Sequence, residues 1–206
     1  RALKVEESTI SVDSLPKPKE PLVAAEELNR CQSYTFKLKM SVLRLTGGGT
    51  LPNSKTPLNP AIADSLKELS NNYLRGFITL SKEAGTEEEE QALHYYAFRT
   101  KRFMEAFLDK LEAEIRKHKL DDHLTILSHL SADLDIGTVG VVIGKTDYNP
   151  DRHELPRGEQ QQSGSKLWQN VITEVLRTGY TDLRSGQVIR RALVKCRIKT
   201  GNDQYL

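Results

Sequence analysis

The spacing of apolar residues changes near Gly137, and this change constrains the fold more than any other feature of the chain. Before it, apolar residues recur three and four positions apart, which is the period of a helix that buries one face. After it, glycine and β-branched residues dominate, and apolar and charged residues alternate near the C-terminus. The sequence therefore predicts an α+β protein, with a helical N-terminal region followed by a small all-β C-terminal domain.

About four helices are expected before Gly137. The first follows Pro21 and ends at Gly47-Gly48-Gly49, because glycine tolerates the backbone conformation that ends a helix. It carries a short heptad seam formed by Leu28, Cys31, Thr35, Leu38, Val42 and Leu45. A proline-rich connector precedes the second helix, the third is expected over 87–119, and a short fourth helix reaches Leu134. The seam favours two interpretations equally, namely pairing of two copies or packing against the chain's own helices.

Composition divides the chain into three parts. Residues 1–21 contain closely spaced prolines and are expected to form a flexible leader. Residues 22–135 form the helical part, which is also the expected dimerisation region. Residues 137–206 form the β-domain, with strands predicted over 138–144, 170–176 and 187–199. On the last strand a core face alternates with a charged face; the core face is Val188, Ala192, Val194, Cys196 and Ile198, and the charged face is Arg191, Lys195, Arg197 and Lys199.

The overall composition excludes several classes of protein. The net charge is only +2, which argues against a protein that coats nucleic acid or an anionic membrane by charge alone. The sequence contains no apolar run of about 18 residues that could span a bilayer, and the first 22 residues lack the apolar core of a secretory signal. Two distant cysteines predict neither a disulfide framework nor a zinc site. These features favour the cytoplasm, with an organelle matrix or stroma as the alternative.

No enzyme motif is complete. Gly144-Lys145-Thr146 matches the end of a phosphate-binding loop, but the first glycine of that motif would have to stand where Val139 is found. His153-Glu154 lacks the second histidine of a zinc-protease helix. The sequence therefore predicts no catalytic residue, no metal ion and no cofactor.

Three strings near the C-terminus point to a different class of function. They are Tyr148-Asn-Pro-Asp-Arg-His-Glu154, Glu174-Val-Leu-Arg-Thr-Gly-Tyr180 and Gly186-Gln-Val-Ile-Arg-Arg-Ala-Leu-Val-Lys195. In this order they resemble the contact turn, the hydrophobic-x-x-Gly-Tyr strand end and the final strand in the β-domain of GrpE-type nucleotide exchange factors of Hsp70 chaperones. The resemblance covers about 60 of the 206 residues.

The resemblance implies a homodimeric co-chaperone that binds the ATPase domain of an Hsp70 and promotes ADP release. Such a protein needs no catalytic residue, because exchange follows from higher affinity for the open conformation of the ATPase domain. The residues that the resemblance assigns to this contact are Asn149, Pro150, His153, Glu154, Leu176, Gly179, Tyr180 and Arg190.

Two other interpretations stay open. The first is a scaffold or adaptor that uses a GrpE-like domain for protein assembly without accelerating nucleotide release. This interpretation stays open because the first helix stops at three glycines, where the family has a long dimerising helix. A nucleic-acid-binding protein would use the charged face of the last strand, but no Phe or Trp interleaves with its bases as a stacking platform.

Overall fold

A computed structural model describes residues 21–83, 85–157 and 170–198 of the chain. It has the predicted α+β class and separates into two compact units, Arg1–Lys119 and Leu120–Leu206. The leader predicted over 1–21 lies outside the described residues, apart from Pro21.

The first unit contains three long helical segments, as predicted for this part of the chain. Its elements are helices α1 (Ala24–Thr46), α2 (Pro60–Glu83), α3 (Glu88–Ala97) and α4 (Asp109–Lys117), with π-helical segments Phe98–Arg102 and Met104–Leu108 between α3 and α4. α1 packs against α2 and α3, and α2 packs against α4. The predicted third helix therefore exists, but its middle is wound as π-helix, which the apolar spacing alone did not indicate.

The heptad seam packs against helices of the same chain, which is one of its two interpretations. Cys31, Leu38, Val42 and Leu45 are buried, as the spacing predicts. In place of Leu28 and Thr35, which are half-buried, the helix buries Glu27 and Tyr34. In the first half of α1, the buried stripe is thus shifted by one position at every second contact relative to the predicted seam.

A buried ion pair explains why Glu27 faces inward. Arg99 Nε, in the first π-helical segment, donates to Glu27 Oε2 over 3.1 Å, and Arg30 also contacts Glu27. The guanidinium of Arg99 lies over the rings of Tyr34 and Tyr96, at 5.8 and 5.2 Å from their centroids. A buried carboxylate needs such a partner, because its desolvation is otherwise very costly.

The second unit combines one short helical region with two small sheets. Its elements are a 3₁₀ turn (Asp121–Leu124), helix α5 (Thr125–Ala132) and strands β1 (Ile136–Thr138), β2 (His153–Glu154), β3 (Asn170–Arg177), β4 (Tyr180–Asp182), β5 (Val188–Arg190) and β6 (Ala192–Ile198). One sheet has the order β1-β4-β5 and is antiparallel; the other has the order β2-β6-β3, in which β2 runs parallel to β6. Because α5 packs against β1, it belongs to this unit, and the unit begins before the boundary placed at 135–137 from the sequence.

The strand predicted over 138–144 is wrong in extent. The strand begins at Ile136 and ends at Thr138, and the chain then leaves the sheet. Val139 is still buried, but Val142 and Ile143 are exposed in a turn in which Gly144 has a φ of +79°. Glycine adopts a positive φ at little cost, and this φ interrupts extended backbone. The β-branched residues before Gly144 therefore lead into a turn and do not prolong the strand.

The strand predicted over 187–199 is two strands that join different sheets. The break falls at Arg191, which is exposed between β5 and β6. The alternation of inward and outward side chains shifts by one residue at this break. Before it, Ile189 is buried, whereas Val188, which is predicted on the core face, is only half-buried. After the break the predicted core face is confirmed for Ala192 and Val194, and Cys196 packs against the same cluster.

Candidate partner-binding site

The eight residues that the resemblance assigns to a contact lie around one junction between the two sheets. His153 is paired in register with Ala192, and Tyr180 with Arg190. β3 crosses from one sheet to the other through Thr178 and Gly179, beside the start of β6. Three stretches that are far apart in the sequence, 149–154, 176–180 and 190–192, therefore meet in the folded unit.

The turn before β2 is held by hydrogen bonds of its own. Asn149 Oδ1 accepts from the Asp151 N–H at 2.8 Å, and the Asn149 carbonyl accepts from the His153 N–H at 2.8 Å. The ring of Pro150 fixes the φ of Pro150 itself, and the Pro150 carbonyl accepts a hydrogen bond from Arg191 Nη1 at 3.1 Å. Asn149 and Pro150 are both exposed, so they form the outer surface of a turn with little freedom to move.

His153 lies inside the unit, with only 2% of its surface exposed. Its Nδ1 accepts from the Asn149 N–H at 2.9 Å, so in the neutral ring the hydrogen is on Nε2. Nε2 is buried and has no hydrogen-bond partner among the described residues. Burial, together with the nearby charge of Arg152, lowers the pKa of His153 below its ordinary value of 6.5. His153 therefore shapes the turn as a neutral acceptor and forms almost none of its outer surface.

Glu154 connects the turn to the other two stretches through charge. Its carboxylate forms an ion pair with Arg177 at the end of β3, and its Oε2 lies 3.8 Å from Arg191 Nη2. Sequence reasoning missed both arginines as members of this surface. The only signal was that Arg177 lies within the second string and Arg191 within the third, and nothing in the sequence shows which acid they meet.

Leu176 is presented by an irregularity in β3. Val175 pairs with Val194 and Arg177 with Leu193, so β3 has one residue more than β6 between these pairs. Leu176 is that extra residue, at a β-bulge, and its side chain is partly exposed. Bulges redirect side chains out of the regular alternation of a strand, which explains how a leucine next to core strands reaches the surface.

Gly179 is required by a close approach of two backbones. A Cβ at this position would lie 2.8 Å from Ala192 Cα and 2.9 Å from the Arg190 carbonyl oxygen, and still closer to the Ala192 nitrogen. Its φ lies outside the left-handed region, so space and not backbone conformation selects glycine here. Any other residue would push the β3–β4 crossing away from β6.

Tyr180 and Arg190 hold the other side of the junction. Tyr180 is fully buried, and the Arg190 guanidinium lies over its ring at 5.2 Å from the centroid. Arg190 Nη2 also donates to the Thr178 carbonyl at 2.9 Å. Arg190 is half-buried, so part of it is accessible, while Tyr180 acts from inside the unit.

The charged face of the last strand is largely paired. Lys195 Nζ donates to Glu174 Oε2 at 2.8 Å, and Arg191 is bound to the Pro150 carbonyl near Glu154. Arg197 is exposed, and Lys199 lies outside the described residues. A strip whose bases already have acceptors offers less charge to phosphates than the sequence alternation predicts.

Among residues 21–83, 85–157 and 170–198, no group of three or more His, Cys, Asp or Glu side chains is placed to hold a metal ion. In the same ranges no helix is long and apolar enough to cross a lipid bilayer. The comparisons with known proteins found no family model, no curated protein and no solved structure that matches the chain.

Proposed function

We propose that the second unit is a GrpE-like head that binds the ATPase domain of an Hsp70-type chaperone and promotes ADP release. The observation that carries the proposal is the convergence of the three sequence strings on one surface around Gly179. Strings that matched only as separate motifs form one neighbourhood in the folded unit, as a shared contact role requires.

The physical requirement on such a surface is rigidity. A protein that opens a nucleotide cleft does so by binding the open form better than the closed form, and a deformable surface would adapt to both. The turn at 149–154 is fixed by the Asn149–His153 hydrogen bonds and by Arg191 on the Pro150 carbonyl. The backbone contact at Gly179 fixes the adjoining crossing. These contacts support the idea of a preformed surface.

The surface also has the chemical layout of a small protein interface. Leu176 offers a partly exposed apolar side chain, and Asn149, Glu154 and Arg190 offer accessible polar groups on the stretches that meet at the same junction. Apolar anchors surrounded by polar groups are typical of interface hot spots. In this proposal Leu176 is the apolar anchor, Asn149 and Pro150 are direct contacts, and Glu154 and Arg190 are polar contacts. His153, Gly179 and Tyr180 position them from within.

The proposal includes a homodimer in the cytoplasm or in an organelle matrix or stroma. Both parts rest on the resemblance and composition. Sedimentation equilibrium at tens of micromolar protein tests the first, with a dimer mass as the expected result and a monomer mass as the result that removes it.

Stopped-flow release of a fluorescent ADP from Hsp70s of the source organism tests the function. We expect release to become faster as this protein is added, and faster release should saturate with its concentration. Unchanged release from every Hsp70 of that organism, with a folded protein, would overturn the proposal.

One structural feature favours the scaffold as a second candidate. α1 ends at Thr46, and Gly48 beyond it has a φ of +93°, so the first unit is a bundle of three separate helical segments and not one long continuous stalk helix. A scaffold would bind an Hsp70 or another protein without changing nucleotide release. Titration calorimetry measures binding to the Hsp70, and the release assay measures exchange. Binding without faster ADP release would identify a scaffold, and binding with faster release would identify an exchange factor.

A further inference from the structure

Helix α1 carries a second apolar stripe on its outer side. Phe36, Met40 and Leu43 recur four and three positions apart and are 66%, 50% and 55% exposed. On the same turns, Leu38 and Val42 point into the bundle and are buried. A helix that is apolar on two opposite faces is typical of one covered on both sides, and within the described part of the first unit only the inner side is covered.

Helix α2 extends this stripe into a groove. Leu74, Phe77 and Ile78 of α2 face Phe36 of α1 across an open groove of about 560 Å³, and Ile78 is 68% exposed. Four apolar side chains on two neighbouring helices make a contiguous apolar floor. Exposed apolar surface of this kind marks an interaction site more often than isolated apolar residues do.

The charge around the groove has one sign. The residues that line it include two cations, Lys39 and Arg75, and no carboxylate. Neither cation has a carboxylate within ion-pair distance in the described ranges. The chain itself has no acid between Glu27 and Asp64, although it has five bases there: Arg30, Lys37, Lys39, Arg44 and Lys55. The groove therefore presents uncompensated positive charge beside an apolar floor.

We propose that this groove binds an amphipathic helix of another protein, with apolar residues at i, i+3 or i+4, and i+7 and acidic residues beside them. A helix laid between α1 and α2 would complete a bundle, because ridges of side chains pack into the groove between helices. Carboxylates on its flanks would meet Lys39 and Arg75. A second copy of this chain fits less well, since a symmetric contact brings the same cations of both copies together. The inference does not depend on the proposed function of the second unit.

The probe is a fluorescein-labelled synthetic helix of about 18 residues with leucines on one face and glutamates on its flanks. Its binding to the full-length protein is followed by fluorescence anisotropy. We expect saturable binding that is weakened at least tenfold by Ile78→Asp, since Ile78 is exposed and its replacement leaves the bundle core intact. Leu183→Asp, at a leucine of the other unit that is 57% exposed, serves as the matched control and should bind like the wild type.

Charge reversal gives the second arm of the test. Lys39→Glu with Arg75→Glu should reduce binding of the glutamate helix and create binding of the same helix with lysines in place of its glutamates. No saturable binding up to millimolar peptide, equal binding of both peptides, or an unchanged affinity of Ile78→Asp would overturn the proposal. Self-association that Ile78→Asp abolishes would overturn it in favour of a second copy. Binding to phosphatidylglycerol vesicles that displaces the peptide would overturn it in favour of a lipid surface.

Discussion

The clearest structural prediction concerns Gly179→Ala. The three atoms nearest to the added methyl group would all be backbone atoms, namely the Ala192 nitrogen and Cα and the Arg190 carbonyl oxygen. Backbone cannot move aside as a flexible side chain can, so either β3 or β6 must shift. We expect a large loss of stability in the second unit, although the substitution adds a single carbon.

The magnitude follows from what a shift would break. Overpacking of a tight contact costs about 1–3 kcal/mol. Two backbone hydrogen bonds depend on the same strands: Val139 N–H to the Gly179 carbonyl at 2.8 Å, and Ala192 N–H to the Arg152 carbonyl at 2.9 Å. Weakening each of them costs about 1 kcal/mol. The expected loss is therefore roughly 3–5 kcal/mol, which is a large fraction of the 5–15 kcal/mol typical of a domain.

Hydrogen exchange with mass spectrometry at increasing urea measures this loss, because peptides from β3 and β6 report on the second unit separately from the first. The matched control is Gly140→Ala, since a Cβ at Gly140 meets nothing within 4 Å and its φ is ordinary. We expect the control to stay within about 0.5 kcal/mol of the wild type. A Gly179→Ala protein equally close to the wild type would refute the reasoning.

Three further predictions follow. Arg99→Met leaves Glu27 buried without its main partner, so exchange in α1 should report a loss of roughly 3 kcal/mol, most of which Glu27→Leu should restore in the double variant. The pKa of His153 is lowered in the folded unit, so the unfolded chain binds its proton first as pH falls below 6.5. Stability of the second unit should therefore decline from pH 7 towards pH 5, less steeply in His153→Asn. Burial raises the pKa of Cys31 to about 12, so a disulfide reagent at pH 8 should modify it only on unfolding.

Each of these has a result that would contradict it. A double variant no more stable than Arg99→Met would mean that the buried charge is not the cause. An unchanged pH profile in His153→Asn would assign the decline to other groups; His123, also buried with a lowered pKa, is the nearest alternative in this unit. Rapid labelling of Cys31 in the native protein, with the other cysteine replaced by alanine, would contradict its burial.

The sequence predicts elements whose cause is local. The helix period places Leu38, Val42 and Leu45 on one face of α1, and Gly47–Gly49 marks its end, because both depend on neighbouring residues alone. The alternation around Val194 likewise predicts the inward face of β6.

Features that depend on distant partners could not be predicted in this way. Glu27 faces inward because Arg99 lies 72 positions later, and Glu154 joins the candidate site because Arg177 lies 23 positions later. The predicted last strand is divided into β5 and β6 at Arg191 because these two strands pair with strands of different sheets. The resemblance names Gly179 among the contact residues, but only the fold shows that the close approach of the Ala192 backbone leaves no room for a Cβ there.

The most direct test of the proposed function compares two leucine variants in the ADP release assay. Leu176→Asp places a charge at the bulge that presents the apolar anchor, whereas Leu183→Asp places one in the turn at the other end of β4. Leu183 is 57% exposed and Leu176 is partly exposed at a bulge, so both variants should fold. We expect the wild type and Leu183→Asp to accelerate ADP release from the Hsp70 equally, and Leu176→Asp to lose most of this acceleration. Equal acceleration by all three proteins would contradict the assignment of the contact to this surface, and no acceleration by the wild type would contradict the exchange function itself.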